Sequence, residues 1–180
     1  RPEERRWGGG GADPVGNGNR KVLGAATPDC RWTFNNDFTY HNLRLSMLWD
    51  WQYGGVAQNQ TLSLYDCNQL APDQATPAGQ IRANACQVGL APSFVQSTTF
   101  LKLRELSLAY SIPKAVAQRL FRGADNARIS LTGRNLFTHT NYFGYDPESS
   151  NFGQQAITRN IDLGPYPPSR SFFVNVSVGF

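Results

Sequence analysis

The sequence lacks the features of several common functional classes. No run of about 18 apolar residues occurs in its 180 residues, which excludes a transmembrane helix. The net charge is only +4, from Arg and Lys that are scattered rather than gathered in a basic stripe, which argues against nucleic-acid binding. The N-terminus has neither an initiating Met nor the charged and apolar regions of a signal peptide. We therefore expect a fragment or processed piece of a longer protein.

Catalytic and metal-binding patterns are also missing. The two histidines, His41 and His139, are far apart and no Ser or Cys nucleophile motif accompanies them. The segment Asp13–Asn19 carries only one carboxylate, too little charge for a calcium loop. We expect no catalytic residue, no cofactor and no metal, so the sequence predicts that the protein is not an enzyme.

The three cysteines, Cys30, Cys67 and Cys86, lack the spacing of a zinc site. Cys67 and Cys86 lie in one polar stretch and would form a disulfide in an oxidising compartment. The alternative is that both are unrelated free thiols. In either case we expect Cys30 to be unpaired.

Alternation with period two is the strongest pattern in the chain. Five segments show it, and the last reaches the final residue with Phe172, Val174, Val176, Val178 and Phe180 on one face. A change of phase at Arg104-Glu105 predicts a β-bulge. The five predicted strands are 31–40, 43–53, 99–110, 127–137 and 171–180.

The connections alternate in length. They run short at 41–42, long at about 54–98, moderate at about 111–126 and long at about 139–169. Transmembrane barrels keep short turns on the periplasmic side and long loops outside. The moderate connection, Ser111–Gly123, predicts one short periplasmic helix with Pro113 in its first turn and Gly123 as its stop. The sequence thus predicts an all-β fold, an antiparallel transmembrane β-barrel segment.

Aromatic residues are sorted to the ends of the predicted strands, as in the girdles at membrane interfaces. The outer girdle comprises Trp32, Trp49, Trp51 and Tyr53, and the inner one comprises Tyr40 and Tyr110 with Phe180. Charged residues of opposite parity are candidates for the barrel lumen, where they would line a substrate path, solvate the lumen or pair with a plug. They are Arg44, Asp50, Lys102, Arg104, Arg128 and Arg134.

Four stretches resemble the C-terminal part of the SusC/RagA-type TonB-dependent outer-membrane transporters. They are 100–113, 129–137, 140–148 and 162–172, and Gly24 with Pro28-Asp29 also fits. The likeness spans about residues 13–180, whereas the 54–98 stretch matches no pattern of the family. Within the 140–148 stretch, Gly144–Glu148 is either a turn initiated at Asp146-Pro147, with Tyr145 packed over it, or a ligand or partner contact on the outer loop.

The resemblance implies that residues 1–180 supply about the last five strands of a barrel of roughly 22 strands. The plug and the TonB box would lie outside this chain. It also implies TonB-driven uptake of an oligosaccharide or peptide and a SusD-type surface lipoprotein as partner. We expect a location in the outer membrane, within the lipid bilayer.

The terminal strand resembles the signal that the barrel-assembly machinery recognises, carried by Phe172, Val176, Val178 and Phe180. The simpler reading is that any last strand facing lipid ends on apolar residues. Two other functions remain open at this point. One is a siderophore-type receptor or porin, and the other is a secreted β-sandwich adhesion or carbohydrate-binding module, whose apolar face would pack against a second sheet.

Overall fold

The computed structural model describes residues 23–87, 91–148 and 160–180. Its strands are β1 (Cys30–Tyr40), β2 (Leu43–Tyr53), β3 (Val56–Asn59), β4 (Val95–Ser97), β5 (Phe100–Ile112), β6 (Asn126–Thr140), β7 (Ile161–Asp162) and β8 (Ser171–Gly179). Its helices are α1 (Gln60–Cys67), α2 (Pro77–Gln87) and α3 (Lys114–Leu120). Among the described helices, none is long and apolar enough to cross a membrane.

The five long strands form one antiparallel sheet in the order β1-β2-β5-β6-β8. Each predicted strand is present, within three residues at either end. The predicted fold class, an antiparallel barrel segment with one short helix between strands, is confirmed.

One face of this sheet is apolar and open. Its register aligns Trp32 with Trp51 and Phe38 with Leu45, and the large side chains along it are mostly exposed. Examples are Phe38, Tyr40, Leu131, Phe172, Val174 and Phe180, each at least half exposed. No second sheet in the described ranges buries these side chains, as the β-sandwich alternative would require. The face therefore needs a nonpolar surrounding.

The predicted bulge is confirmed. Leu48 pairs with Glu105 and Trp49 with Leu103, so Arg104 is the extra residue of β5. A second irregularity, which the sequence pattern did not indicate, lies beside it on β6, where Leu103 pairs with Phe137 but Glu105 pairs with Arg134. Two residues of β6, 135 and 136, thus oppose the single Arg104 of β5. Asn135 has φ +54°, a left-handed conformation that Asn tolerates better than most residues. The two bulges restore one apolar face beyond the phase change.

The connections follow the predicted lengths. α3 begins directly after Pro113 and ends at Leu120, inside the predicted 111–123 segment. The 54–98 stretch, expected only as a long polar loop, folds into β3, α1, α2 and β4; we call it the loop lobe. Its β3 pairs antiparallel with β4 and parallel with β7, which comes from the second long loop. The predicted segment 13–19 and parts of both loops, 88–90 and 149–159, lie outside the described residues.

Candidate functional site

Six charged side chains meet where the polar face of the sheet reaches the long loops. Strands β1, β2 and β5 supply four of them, because alternate residues of a strand share one face. The loop after β6 supplies the other two. We call this set the charge cluster: Arg31, Asp50, Lys102, Arg104, Asp146 and Glu148.

Asp50 is the centre of the wall half of the cluster. It is only 4% exposed and accepts from Arg31 Nη2 at 2.6 Å and from Arg104 Nη2 at 2.7 Å. The Nε atoms of both arginines also donate to it, each at 3.0 Å. Two guanidinium groups on one buried carboxylate leave the site one positive charge in excess.

The loop half of the cluster offsets that charge. Lys102 Nζ lies 2.6 Å from both carboxylate oxygens of Asp146 and 2.5 Å from Glu148 Oε2. Glu148 also accepts from Arg104 Nη2 at 2.5 Å and from Arg31 Nη2 at 3.1 Å. Three cations and three carboxylates therefore balance, which is how a protein tolerates charges removed from water.

An aromatic ring lies among the three cations. Phe100 is 1% exposed, and its ring centroid is 4.8 Å from Lys102 Nζ, 5.6 Å from the Arg104 guanidinium carbon and 5.9 Å from that of Arg31. The face of an aromatic ring attracts cations. Phe100 thus supports the cluster from within the sheet.

The Gly144–Glu148 segment is both a turn and an anchor. Glu148 N donates to Asp146 Oδ1 at 2.8 Å, the side-chain-to-backbone turn that Asp favours. The same carboxylate binds Lys102, so the turn holds the loop against the wall. Burial tends to raise the pKa of Glu148, but hydrogen bonds from Lys102 and Arg104 outweigh it and hold that pKa below its usual value. Tyr145, which was predicted to pack over the turn, is 64% exposed.

A second anchor ties the same loop to the loop lobe. Asp162, on β7, is 2% exposed and accepts from the Tyr142 hydroxyl at 2.7 Å and from Thr61 Oγ1 at 2.6 Å. Burial, and then the carboxylate of Asp162, raise the pKa of Tyr142 well above its ordinary value. Asn59 caps α1 by accepting from Leu62 N and also donates to the Phe143 carbonyl. The 142–148 loop is thereby held at both ends.

The loop lobe has its own internal ties. A disulfide joins Cys67 of α1 to Cys86 of α2, with Cα atoms 5.4 Å apart, and Cys30 is free. Arg82 bridges the fully buried Asp66 at 2.7 Å and Asp73 at 2.6 Å. The hydrogen bond from Arg82 lowers the pKa of Asp73. The lobe is an ordered unit rather than a loose loop.

Of the six lumen candidates, three join the charge cluster and three lie elsewhere on the polar face. Arg44 pairs with Asp37 at 3.1 Å and Arg134 with Glu105 at 2.9 Å. Arg128 lines an open cavity of about 370 Å³ towards the other end of the sheet. Arg44 and several small polar side chains also line it, among them Ser46, Ser107, Ser130 and Ser177.

The aromatic residues lie at the two ends of the apolar face. Trp51 lies near Trp32 and Tyr53, with its ring tilted to both and the ring centroids 6.2 Å apart in each pair. Trp49 contacts Phe137 edge-on. Tyr40 and Tyr110 share the opposite end with Phe180. Of the four proposed assembly-signal residues, Phe172, Val176 and Val178 belong to β8 and Phe180 directly follows it. Girdles and assembly signal stay predictions.

Sequence reasoning missed part of the cluster. Arg31, Phe100, Asp146 and Glu148 were not among the candidates, although Gly144–Glu148 was noted as a turn or contact. The available signal was the strand face: Arg31 pairs with Gln52, which lies on the same face of β2 as Asp50. In the described ranges, no group of three His, Cys, Asp or Glu residues is placed to hold a metal ion.

Comparison with known proteins tests the predicted family resemblance. The chain is 29% identical over 187 residues to TonB-dependent receptor P3 of Formosa agariphila, covering 94% of this chain and 18% of that protein. It is 28% identical to TonB-dependent receptor P26 of the same organism, over 88% of this chain and 18% of the relative. The predicted resemblance to TonB-dependent transporters is confirmed.

Solved structures give the same fold. A structure of the RagAB peptide importer in its open-open state matches 89% of this chain and 18% of its own chain, with a TM-score of 0.64 and 20% identity. Its closed-closed state matches 87% of this chain with the same TM-score. No protein-family model matches the sequence. The chain spans about a fifth of the length of the TonB-dependent receptors it matches.

Proposed function

We propose that this chain is part of the barrel wall of an outer-membrane transporter that takes up a nutrient by TonB-coupled transport. The observation that carries the proposal is the sheet itself, with one face apolar and exposed between aromatic ends and the other face polar and joined to ordered loops. The similarity to TonB-dependent receptors supports it. A non-enzymatic role follows from the same similarity.

The strand dimensions support a place in the membrane. An 11-residue strand such as Leu43–Tyr53, at about 3.3 Å per residue and tilted about 45°, rises roughly 25 Å. That is the height of the apolar band of outer-membrane barrels. In lipid, the open edges of β1 and β8 would leave backbone groups unpaired at a cost of about several kcal/mol each. The rest of the barrel must therefore come from the longer protein.

The nutrient and the partners form the finer part of the proposal. The nutrient is an oligosaccharide or a peptide, and a neighbour described as a peptide importer supports the peptide. A SusD-type surface lipoprotein would cover the outer loops, TonB would act through the missing N-terminal region, and the barrel-assembly machinery would insert the protein through its last strand.

The test is to fractionate source cells, extract the outer membrane in detergent and probe for this segment. We expect a band several times larger than the 20.0 kDa of this chain, co-purifying with a lipoprotein. Cells lacking TonB should then lose uptake of labelled peptides or oligosaccharides that wild-type cells accumulate. A soluble 20 kDa species would refute the proposal and favour the secreted β-sandwich module. Uptake that survives loss of TonB would favour a porin.

A further inference from the structure

A small cavity opens where the sheet loses its last paired strand. The β6–β8 ladder ends at Arg134 opposite Ser171, while β6 continues to Thr140. The coil before β8 runs beside this free stretch, tied to it by Asn135 Nδ2, which donates to the Ser169 carbonyl at 3.1 Å. A cavity of about 190 Å³ lies between them. We call it the edge pocket.

The wall of the edge pocket nearest the charge cluster is fixed and neutral. Lys102 and Asp146 both line it, and each is 4% exposed. Because Lys102 Nζ lies 2.6 Å from both oxygens of Asp146, this pair adds no net charge to the wall. The pocket is therefore formed before any ligand arrives, which reduces the ordering cost of binding.

The other walls are mainly polar and carry a smaller apolar part. Tyr145, which is 64% exposed, lines the pocket together with Pro167 and Pro168. Thr138 contributes a hydroxyl that makes no side-chain hydrogen bond within the described part of the chain. Polar side chains placed around a small cavity can fix the orientation of a ligand by hydrogen bonds. At about 30 Å³ per water, the volume equals about six waters, enough for one sugar ring or one amino-acid residue.

One charge in this pocket is unbalanced. Arg170 lines it, is exposed, and forms no ion pair with any residue of 23–87, 91–148 or 160–180. Its planar guanidinium matches the two oxygens of a carboxylate. Since Asp146 neutralises Lys102, the positive charge of Arg170 favours a negatively charged ligand.

We propose that the edge pocket is a ligand subsite that binds one carboxylate-bearing unit of the nutrient, with Arg170 holding the carboxylate and Tyr145 contacting the ring or chain. The inference rests on the proposed uptake function and narrows its substrate class to acidic oligomers. The carboxylate belongs either to an acidic peptide or to a uronic-acid sugar. Both sources share the chemistry that Arg170 recognises.

The test is isothermal titration of the full-length receptor, purified in detergent, with two acidic probes and their neutral counterparts. The probes are glutamyl-glutamate against glutaminyl-glutamine, and a galacturonic acid dimer against a galactose dimer. We expect saturable binding of one acidic probe and weaker binding of its neutral counterpart. The acidic probe that binds identifies the source of the carboxylate.

Variants then locate the binding. Arg170→Gln should weaken the acidic probe about ten- to a hundredfold, and Tyr145→Ala should weaken both members of the pair. The matched control is Arg122→Gln, which removes an exposed charge after α3 and should leave affinity unchanged. Binding of neither acidic probe to the wild-type receptor, or equal affinity in Arg170→Gln, overturns the subsite. Location and TonB dependence are measured separately, so the subsite can fail while the uptake function stands.

Discussion

Replacing Lys102 by Met should release the 142–148 loop from the barrel wall. Lys102 is the shared partner of Asp146 and Glu148, at 2.6 and 2.5 Å, and Asp146 is 4% exposed. The substitution keeps most of the side-chain volume but leaves a buried carboxylate without its cation. Breaking a buried ion pair on one side costs about 3–5 kcal/mol.

The substitution destabilises the closed state of the loop by this amount and not the open state, because an open loop returns Asp146 to water. The open population should therefore rise by about a hundred- to several thousandfold, since every 1.4 kcal/mol is about a factor of ten. Hydrogen exchange of backbone amides reports such local opening. We expect faster exchange in peptides covering 142–148, where Glu148 N donates to Asp146 and Phe143 N donates to Gln96, and little change within β2 and β5.

The matched control is Arg44→Met on the same sheet. Arg44 pairs with Asp37 at 3.1 Å, but both side chains are more than a third exposed, so its loss should cost less than about 1 kcal/mol. The double variant Lys102→Met with Asp146→Asn removes both charges and should recover part of the protection. If Lys102→Met changes exchange at 142–148 no more than Arg44→Met does, the charge cluster does not hold the loop.

Four shorter predictions follow from other parts of the structure. Cys86→Ser removes the crosslink that spans 19 residues and should destabilise the loop lobe by about 3 kcal/mol, seen as faster exchange in α1 and α2 but not in β5. The folded-state pKa of Glu148 lies below its ordinary value, so Glu148 stabilises the closed loop at neutral pH, and this stabilisation is lost as the pH falls through the lowered pKa. Protease cleavage of the 142–148 loop should therefore rise at acid pH, and Glu148→Gln should make cleavage less dependent on pH. In intact cells a membrane-impermeant maleimide should label Ala75→Cys in the loop lobe but not Arg122→Cys after α3, and the reverse result would invert the topology. Deleting Phe180 should lower the amount of receptor in the outer membrane, and an unchanged amount would leave the last residue without an assembly role.

The strands were predictable because their signal is local. Alternation over ten or more residues, as in Leu43–Tyr53, is sufficient to assign both the strand and its faces. The bulge at Arg104 was predictable for the same reason, since a phase change in one strand has one simple structural cause. Its neighbour at Asn135 was not, because the sequence there shows no second phase change that can be read without knowing the register.

The loop lobe and the two loop residues of the charge cluster, Asp146 and Glu148, were not predictable because their signals are weak or distant. α1 and α2 are short, and their buried residues, such as Leu62 and Ala83, form no clear apolar stripe. Asp146 lies 44 residues from Lys102 in sequence, and no periodic pattern links a turn to a strand across that distance. The four cluster residues on the strands were accessible from the alternation of strand faces, whereas Asp146 and Glu148 required the fold.

The two anchors of the 142–148 loop limit how the described loops can move. Asp146 fixes one end to β5 through Lys102, and Asp162 fixes the other end to the loop lobe through Tyr142 and Thr61. Both carboxylates are nearly inaccessible, so moving the lobe away from the wall must expose at least one of them or separate it from its partners. A motion of that kind costs several kcal/mol, which makes wall, loop and lobe one mechanical unit. Any opening of the proposed transporter that keeps these contacts must therefore occur between this unit and other parts of the transporter.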